Sequence, residues 1–294
     1  MNPAQLVRTA YNLLLSVACL IALYDRPVYA EARSTPAYER TLDDDVYVLA
    51  SVRDDDTRYL REDTTGTVSL ICTGNDGRLT LCGSAAIIEG GFIVSAIHTL
   101  VDVYSCQPKV DTASCFIATA THRVTVTWAR NPSAECETNS QRRSQSRGDG
   151  IVVGSLGKTA STLPAYKVLC RDSLHRVSDD MVLVSGAHAL NSSLKAAPSH
   201  TALHRPGTIV SQGRVYSLYK DQIRYDNDTG PGTSGGAITI MVGADEYLIG
   251  VHSGDVVDGL ADGAPADIHN NHGIGFLLDA KRLGISCHGL PTDQ

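Results

Sequence analysis

Two short stretches of this 294-residue chain carry residue types that do chemistry together. The first is Asp228-Thr229-Gly230-Pro231-Gly232-Thr233-Ser234-Gly235-Gly236-Ala237. A serine hydroxyl is a weak nucleophile until a base takes its proton, and the oxyanion formed on attack needs backbone N–H donors aimed at it. Glycines around a serine allow the tight turn that points such N–H groups into one hole. The second stretch is Gly91-Phe92-Ile93-Val94-Ser95-Ala96-Ile97-His98-Thr99-Leu100. Here an apolar, β-like run ends in small residues and then a histidine. That presents an imidazole at a strand end, where its neutral form can take a proton. The chain has ten histidines, and none of the other nine follows a run of this kind.

In combination, and in the order histidine then serine, these segments resemble the chymotrypsin-like serine peptidases. Cys82-Gly83-Ser84-Ala85-Ala86-Ile87-Ile88 resembles the family strand before the histidine, and Leu248-Ile249-Gly250-Val251-His252-Ser253-Gly254 the strand lining the specificity pocket. The resemblance covers roughly residues 62–285. It implies two six-stranded antiparallel β-barrels with the site between them, and peptide-bond hydrolysis through an acyl-enzyme without metal or cofactor. Ser234 would be nucleophile and His98 general base. The N–H groups of Gly232 and Ser234 would form the oxyanion hole, and Ser253 would support the buried acid.

The family's acid heads an apolar strand between the histidine and the serine, where it accepts the second imidazole N–H. Two segments fit. Asp180-Met181-Val182-Leu183-Val184 matches better in residue types, and Asp180 is favoured on that ground. Asp149-Gly150-Ile151-Val152-Val153 divides the chain more evenly, lying 51 residues after His98 and 85 before Ser234. Asp179 is a third possibility.

Specificity divides two ways. Asp228, six residues before Ser234, stands where the trypsin-like branch holds arginine or lysine. Thr229 and His252 stand where bacterial glutamyl endopeptidases bind a substrate carboxylate, and the resemblance leans to that group. The readings conflict, because a free Asp228 carboxylate would repel glutamate. An Ile-Val-Gly-Gly-like start is absent at a suitable distance before His98, so the family's usual zymogen activation is not evident. An inactive homologue acting as a binding protein is the non-enzyme alternative. An α/β-hydrolase is disfavoured, because the residues after Ser234 are β-rich where that fold needs a helix.

The surrounding elements read as all-β. From Thr65 onward, short β-branched runs alternate with Gly, Asn, Asp and Ser clusters, among them Thr67–Cys72, Ser84–Ile88, Arg123–Trp128, Met181–Val184, Arg214–Tyr219, Ala237–Met241 and Tyr247–Val251. Helical periodicity shows only around Leu277–Leu283, and residues 131–150 read as an exposed polar loop. The expected organisation is a signal peptide at 1–30, an extension or propeptide at 31–64, a first barrel at 65–185 and a second at 186–290. The extension could instead lie on the body as a strand.

Arg8 followed by the uncharged apolar run 11–24 predicts a cleaved secretory signal, and hence a secreted or periplasmic protein with no membrane anchor after cleavage. The net charge of −7 argues against a nucleic-acid partner. The expected partner is a protein or peptide substrate, and the expected state a monomer. Of eight cysteines, Cys19 falls in the signal. For the other seven, sequence proximity predicts Cys72–Cys82 and Cys106–Cys115, with Cys136–Cys170 as a looser pairing and Cys287 left over. No Cys-x-x-Cys is present, and His269 with His272 reads as a polar loop rather than a metal site.

Overall fold

The computed structural model describes residues 58–61, 66–118, 123–143, 148–157, 162–176, 181–187, 208–219, 221–225, 227, 229, 232–257 and 271–290. The signal-like segment, Asp179, Asp180, Asp228, Pro231 and His269 lie outside them. Two antiparallel sheets account for the fold. In chain order, β1 (Arg58–Arg61) belongs to the second sheet. β2 (Thr67–Gly74), β3 (Leu79–Ile88), β4 (Phe92–Ala96), β5 (Val110–Ala118), β6 (Arg123–Thr125), β7 (Thr127–Trp128) and β8 (Ile151–Ser155) make the first. β9 (Lys167–Val168), β10 (Met181–Ala187), β11 (Thr208–Tyr219), β12 (Gln222–Tyr225), β13 (Ala237–Val242), β14 (Asp245–Val257) and β15 (Asn271–Leu277) complete the second.

Both sheets curl into barrels. β6 pairs with β5 at one edge of the first sheet, and β7 pairs with β8 at the other. β6 and β7 are one bent segment interrupted at Val126, so this segment bridges the two edges. In the second sheet the order β11-β10-β13-β14-β15-β12 returns to β11 through a β11–β12 pairing. Each barrel thus has six strand segments around its wall, with β1 and β9 added to the second.

The apolar runs are continuous because these strands are buried on both faces. Successive side chains point to opposite faces. On β3, Ala85 and Ile87 enter the first barrel, while Ala86 and Ile88 face the junction between barrels. β4 divides likewise between Ile93 and Val94, and β8 between Val152 and its neighbours Ile151 and Val153. The junction is completed by Ala237, Val251 and Phe276 from the second barrel. That barrel's own core holds Val182, Val184, Ile223, Tyr225, Ile238 and Ile240. Each such aliphatic side chain contributes about 1.5–3 kcal/mol on burial.

Three expectations are corrected, on the barrel boundary, on residues 131–150 and on the cysteine pairing, and the alternative of a strand within the extension is the one observed. Met181–Ala187 pairs with β11 and β13, so this strand lies in the second barrel, and the division between barrels falls between Ser155 and Lys167 rather than at 185/186. Arg58–Arg61, within the expected extension, pairs with β11 as a strand of the second sheet. Pro132–Arg143 is a helix, not a loop. Asn131 caps it, its Oδ1 accepting from Ser133 N at 2.9 Å, and Pro132 occupies the first helical position, where a missing N–H costs nothing. The helix is polar on nearly all sides, so it carries no apolar stripe to betray it.

The disulfides are Cys72–Cys115, Cys106–Cys136 and Cys170–Cys287, and Cys82 is free. Cys72 and Cys115 face each other from paired strands β2 and β5. Sequence neighbours across a hairpin proved less close than strands brought together by the barrel. Among the described residues no helix is long and apolar enough to cross a membrane.

Candidate active site

His98 sits in a one-turn 3₁₀ segment, Ile97–Thr99, directly after β4. The turn is pinned by Ile97 and Thr99, both buried, and by Thr99 Oγ1, which donates to Ala96 O at 2.7 Å. β4 pairs with β8 so that Ala96 lies opposite Ile151. Two residues beyond Ala96 is His98, and two residues before Ile151 is Asp149. The antiparallel register therefore brings the pair together from positions 51 apart.

His98 Nδ1 and Asp149 Oδ2 are 2.9 Å apart. An ionised carboxylate only accepts, so Nδ1 carries the proton and Nε2 is left as the basic nitrogen. Asp149 is 1% exposed. Its Oδ1 also accepts from His98 N at 3.1 Å and Gly150 N at 2.9 Å, and Ser253 Oγ donates to Oδ2. Burial by itself pushes this carboxyl's pKa up. The His98 hydrogen bond and charge, Ser253 and the Gly150 N–H together outweigh it and hold Asp149 below the usual carboxylate range. Asp180, the acid favoured from residue types, lies outside the described residues, and the carboxylate against His98 is the other candidate.

The loop carrying Ser234 is clamped between the barrels. Ser84 N donates to Ser234 O at 2.8 Å, and Ser84 Oγ to Gly232 O at 2.6 Å. On the other side Gly235 N donates to His252 O and His252 N to Gly236 O. Gly235 has φ +86°, and a Cβ there would stand 2.1 Å from Ser84 O. Only glycine fits this approach. Ser95 Oγ donates to Ser84 O at 2.8 Å and lies 3.3 Å from Thr99 Oγ1, in the turn that carries His98.

Gly232, at φ +90°, and Ser234 spend their carbonyls on Ser84. The N–H groups of Gly235 and Gly236 are engaged within the fold. Among the described residues, no hydrogen bond engages the N–H of Gly232 or of Ser234, and none joins Ser234 Oγ to His98.

His252 and Ser253 are adjacent on β14, and His252 is 2% exposed. Burial first, and the neighbouring His98 charge second, push its pKa down to about 3, so the ring is neutral. Its Nδ1 is hydrogen-bonded to the Tyr225 hydroxyl. Sequence reading missed Tyr225. The available signal was the alternation in Gln222-Ile223-Arg224-Tyr225, which puts Ile223 and Tyr225 together on the buried face. Thr229 is half-buried, and Asp228 lies outside the described residues. No cluster of three or more metal-ligating side chains occurs among the described residues.

No family model matches the chain, and no curated protein does. Solved structures do. The Rv3671c protease from M. tuberculosis, in its active form, is 10% identical with a TM-score of 0.47, over 82% of this chain and 96% of that chain. A Glu endopeptidase in complex with MPD is 13% identical with a TM-score of 0.47, over 80% and 96%. The functional reading rests on the geometry of His98, Asp149 and Ser234. With the histidine and the carboxylate at strand ends of the first barrel and the serine loop of the second held to β3 of the first through Ser84, the architecture is the chymotrypsin-like double barrel.

Proposed function

We propose that this chain is an exported serine endopeptidase working through Ser234, His98 and Asp149. The observation that carries the reading is the buried Asp149–His98 pair, built by strand register beside the clamped Ser234 loop. His98 Nε2 takes the Ser234 proton as Oγ attacks the scissile carbonyl. Asp149 fixes the tautomer and stabilises the imidazolium that forms, and Ser253 holds Asp149 in turn. The oxyanion is received by the N–H groups of Gly232 and Ser234. The protonated ring then donates to the leaving amine, and water repeats the sequence on the acyl-enzyme. Such a ring–serine hydrogen bond is often long without substrate and tightens when substrate docks. Three disulfides among the described residues suit an oxidising compartment, in keeping with export.

The test is a serine-directed fluorophosphonate applied to protein lacking residues 1–30, with Ser234→Ala beside it. Labelling lost in the variant alone is the expected result. A folded wild type that takes no label, with or without residues 31–57, overturns the reading and leaves a binding homologue.

A further inference from the structure

Asp149 stands between two glycines, and all three residues are buried. The carboxylate points to His98 and Ser253. The glycines turn their bare sides to the helix Pro132–Arg143. A Cβ at Gly148 would stand 2.3 Å from Cys136 O and 2.6 Å from its sulfur, and one at Gly150 would stand 2.5 Å from Asn139 Nδ2. Alternate residues of an extended segment face opposite sides, so whatever touches both glycines backs the residue between them. The same glycines give the chain on either side of Asp149 the greatest backbone freedom, so its orientation depends on what packs there. What packs there has little hold of its own. Among the described side chains of the helix, the buried ones are Pro132, Cys136 and Asn139, four and three residues apart on one face, with no large aliphatic group. The Cys106–Cys136 bridge ties that face to the loop after the His98 turn, and Gly148 N donates to Val103 O of the same loop at 2.8 Å.

We infer that Cys136 and Asn139 are positioning residues for the proposed acid: the helix seats on Gly148 and Gly150, the Cys106–Cys136 bridge holds it there, and Asp149 is thereby kept on His98 Nδ1. The consequence for catalysis rests on the peptidase reading above, whereas the consequence for the His98–Asp149 pair rests on this packing alone. With the bridge open, a helix without an apolar face is free to leave. The Gly-Asp-Gly segment then regains backbone freedom, and that entropy competes with the hydrogen bond to His98. A cross-link acting only on the unfolded chain would have no such local effect. Cys170–Cys287, in the second barrel, is the natural comparison, because it closes a longer stretch of chain, 117 residues against 30.

Two measurements test this. The first needs no activity: histidine-ring ¹H–¹⁵N spectra of the full chain carrying Ser234→Ala. The His98 Nδ1 proton, held by a buried carboxylate, should give a downfield, slowly exchanging signal, identified by its absence from His98→Gln. Cys106→Ala with Cys136→Ala, shown to be folded by its melting curve, should lose this signal. Cys170→Ala with Cys287→Ala should keep it. The second measurement is the rate of fluorophosphonate labelling in chains that retain Ser234. Removing the first bridge should slow it about a hundredfold, the effect of a misplaced catalytic group, and removing the other should leave it within a few-fold. Asn139→Ala leaves the bridge closed and carries the test if the bridge-free chain does not fold. It should label about tenfold more slowly and exchange the His98 proton faster. Survival of the signal at full intensity without the Cys106–Cys136 bridge, equal loss on removing either bridge, or no change in Asn139→Ala overturns the proposal. Loss of the signal with the first bridge alone, in a protein whose Ser234 takes no label, upholds the positioning of Asp149 and counts against the peptidase reading only.

Discussion

One imidazole N–H needs one acceptor, and His98 has it in Asp149. The carboxylate receives two backbone N–H groups besides the ring and the Ser253 hydroxyl, so its orientation is over-determined. Asp149→Asn would present an amide to a ring that needs an acceptor, favouring the wrong tautomer. Its expected cost is on the order of 10⁴ in kcat. Asp180→Asn should leave kcat within a few-fold. Steady-state kinetics on the two purified variants checks both, and the reverse pattern would restore Asp180 as the acid. Ser234→Ala and His98→Ala should each cost about 10⁴ to 10⁶.

At the scale of elements, the site depends on how closely the Ser234 loop approaches β3. Gly235 combines a positive φ with backbone and hydroxyl oxygens where a side chain would begin. Gly235→Ala must therefore displace the loop or Ser84. The expected outcome is a loss of about 1–3 kcal/mol of stability and a larger loss of activity, since the displaced loop carries Ser234, the proposed nucleophile. Chemical denaturation alongside fluorophosphonate labelling separates the two effects. The helix Pro132–Arg143 illustrates an element held from outside itself. A cap at Asn131 and the Cys106–Cys136 bridge hold a segment with little apolar surface of its own.

For the whole molecule, two terms set the stability profile. The Cys170–Cys287 bridge closes a sequence separation of 117 residues, tying the start of the second barrel to the chain's end. Replacing both cysteines by alanine should cost about 3–5 kcal/mol, read as a lower urea midpoint with a steeper slope, because the unfolded chain is no longer cross-linked and exposes more surface. The second term is His252. Its folded pKa of about 3 lies below the ordinary histidine value near 6.5, so between these limits the unfolded chain binds the extra proton. Stability therefore falls as pH drops from about 6.5 toward 3. From this group the loss by pH 4.5 is at most about 2–3 kcal/mol. Asp149 adds a loss of the same sign at lower pH, because its depressed pKa contributes stability only while the carboxyl is ionised. Urea unfolding of Ser234→Ala at pH 7.5 and 4.5, with and without His252→Gln, checks the histidine part. A pH dependence equally steep in both would refute it.

What the sequence determined by itself was local in origin. Ser234 and His98 stand inside short motifs whose residue types answer to a chemical need, and they were legible without a fold. The β character was legible too, from short β-branched runs and turn residues. The tertiary structure decided what depends on register and closure. The meeting of Asp149 with His98 follows from Ala96 lying opposite Ile151, a pairing that no window of sequence contains. The cysteine partners follow from which strands the barrels bring side by side, and proximity along the chain misassigned all three bridges. The reach of Tyr225 to His252 exists only because β15 runs between them with glycine where the ring crosses. Residue chemistry is written one position at a time, whereas contacts between strands are set by hydrogen-bond register over the whole sheet, where a one-residue slip turns every side chain to the opposite face.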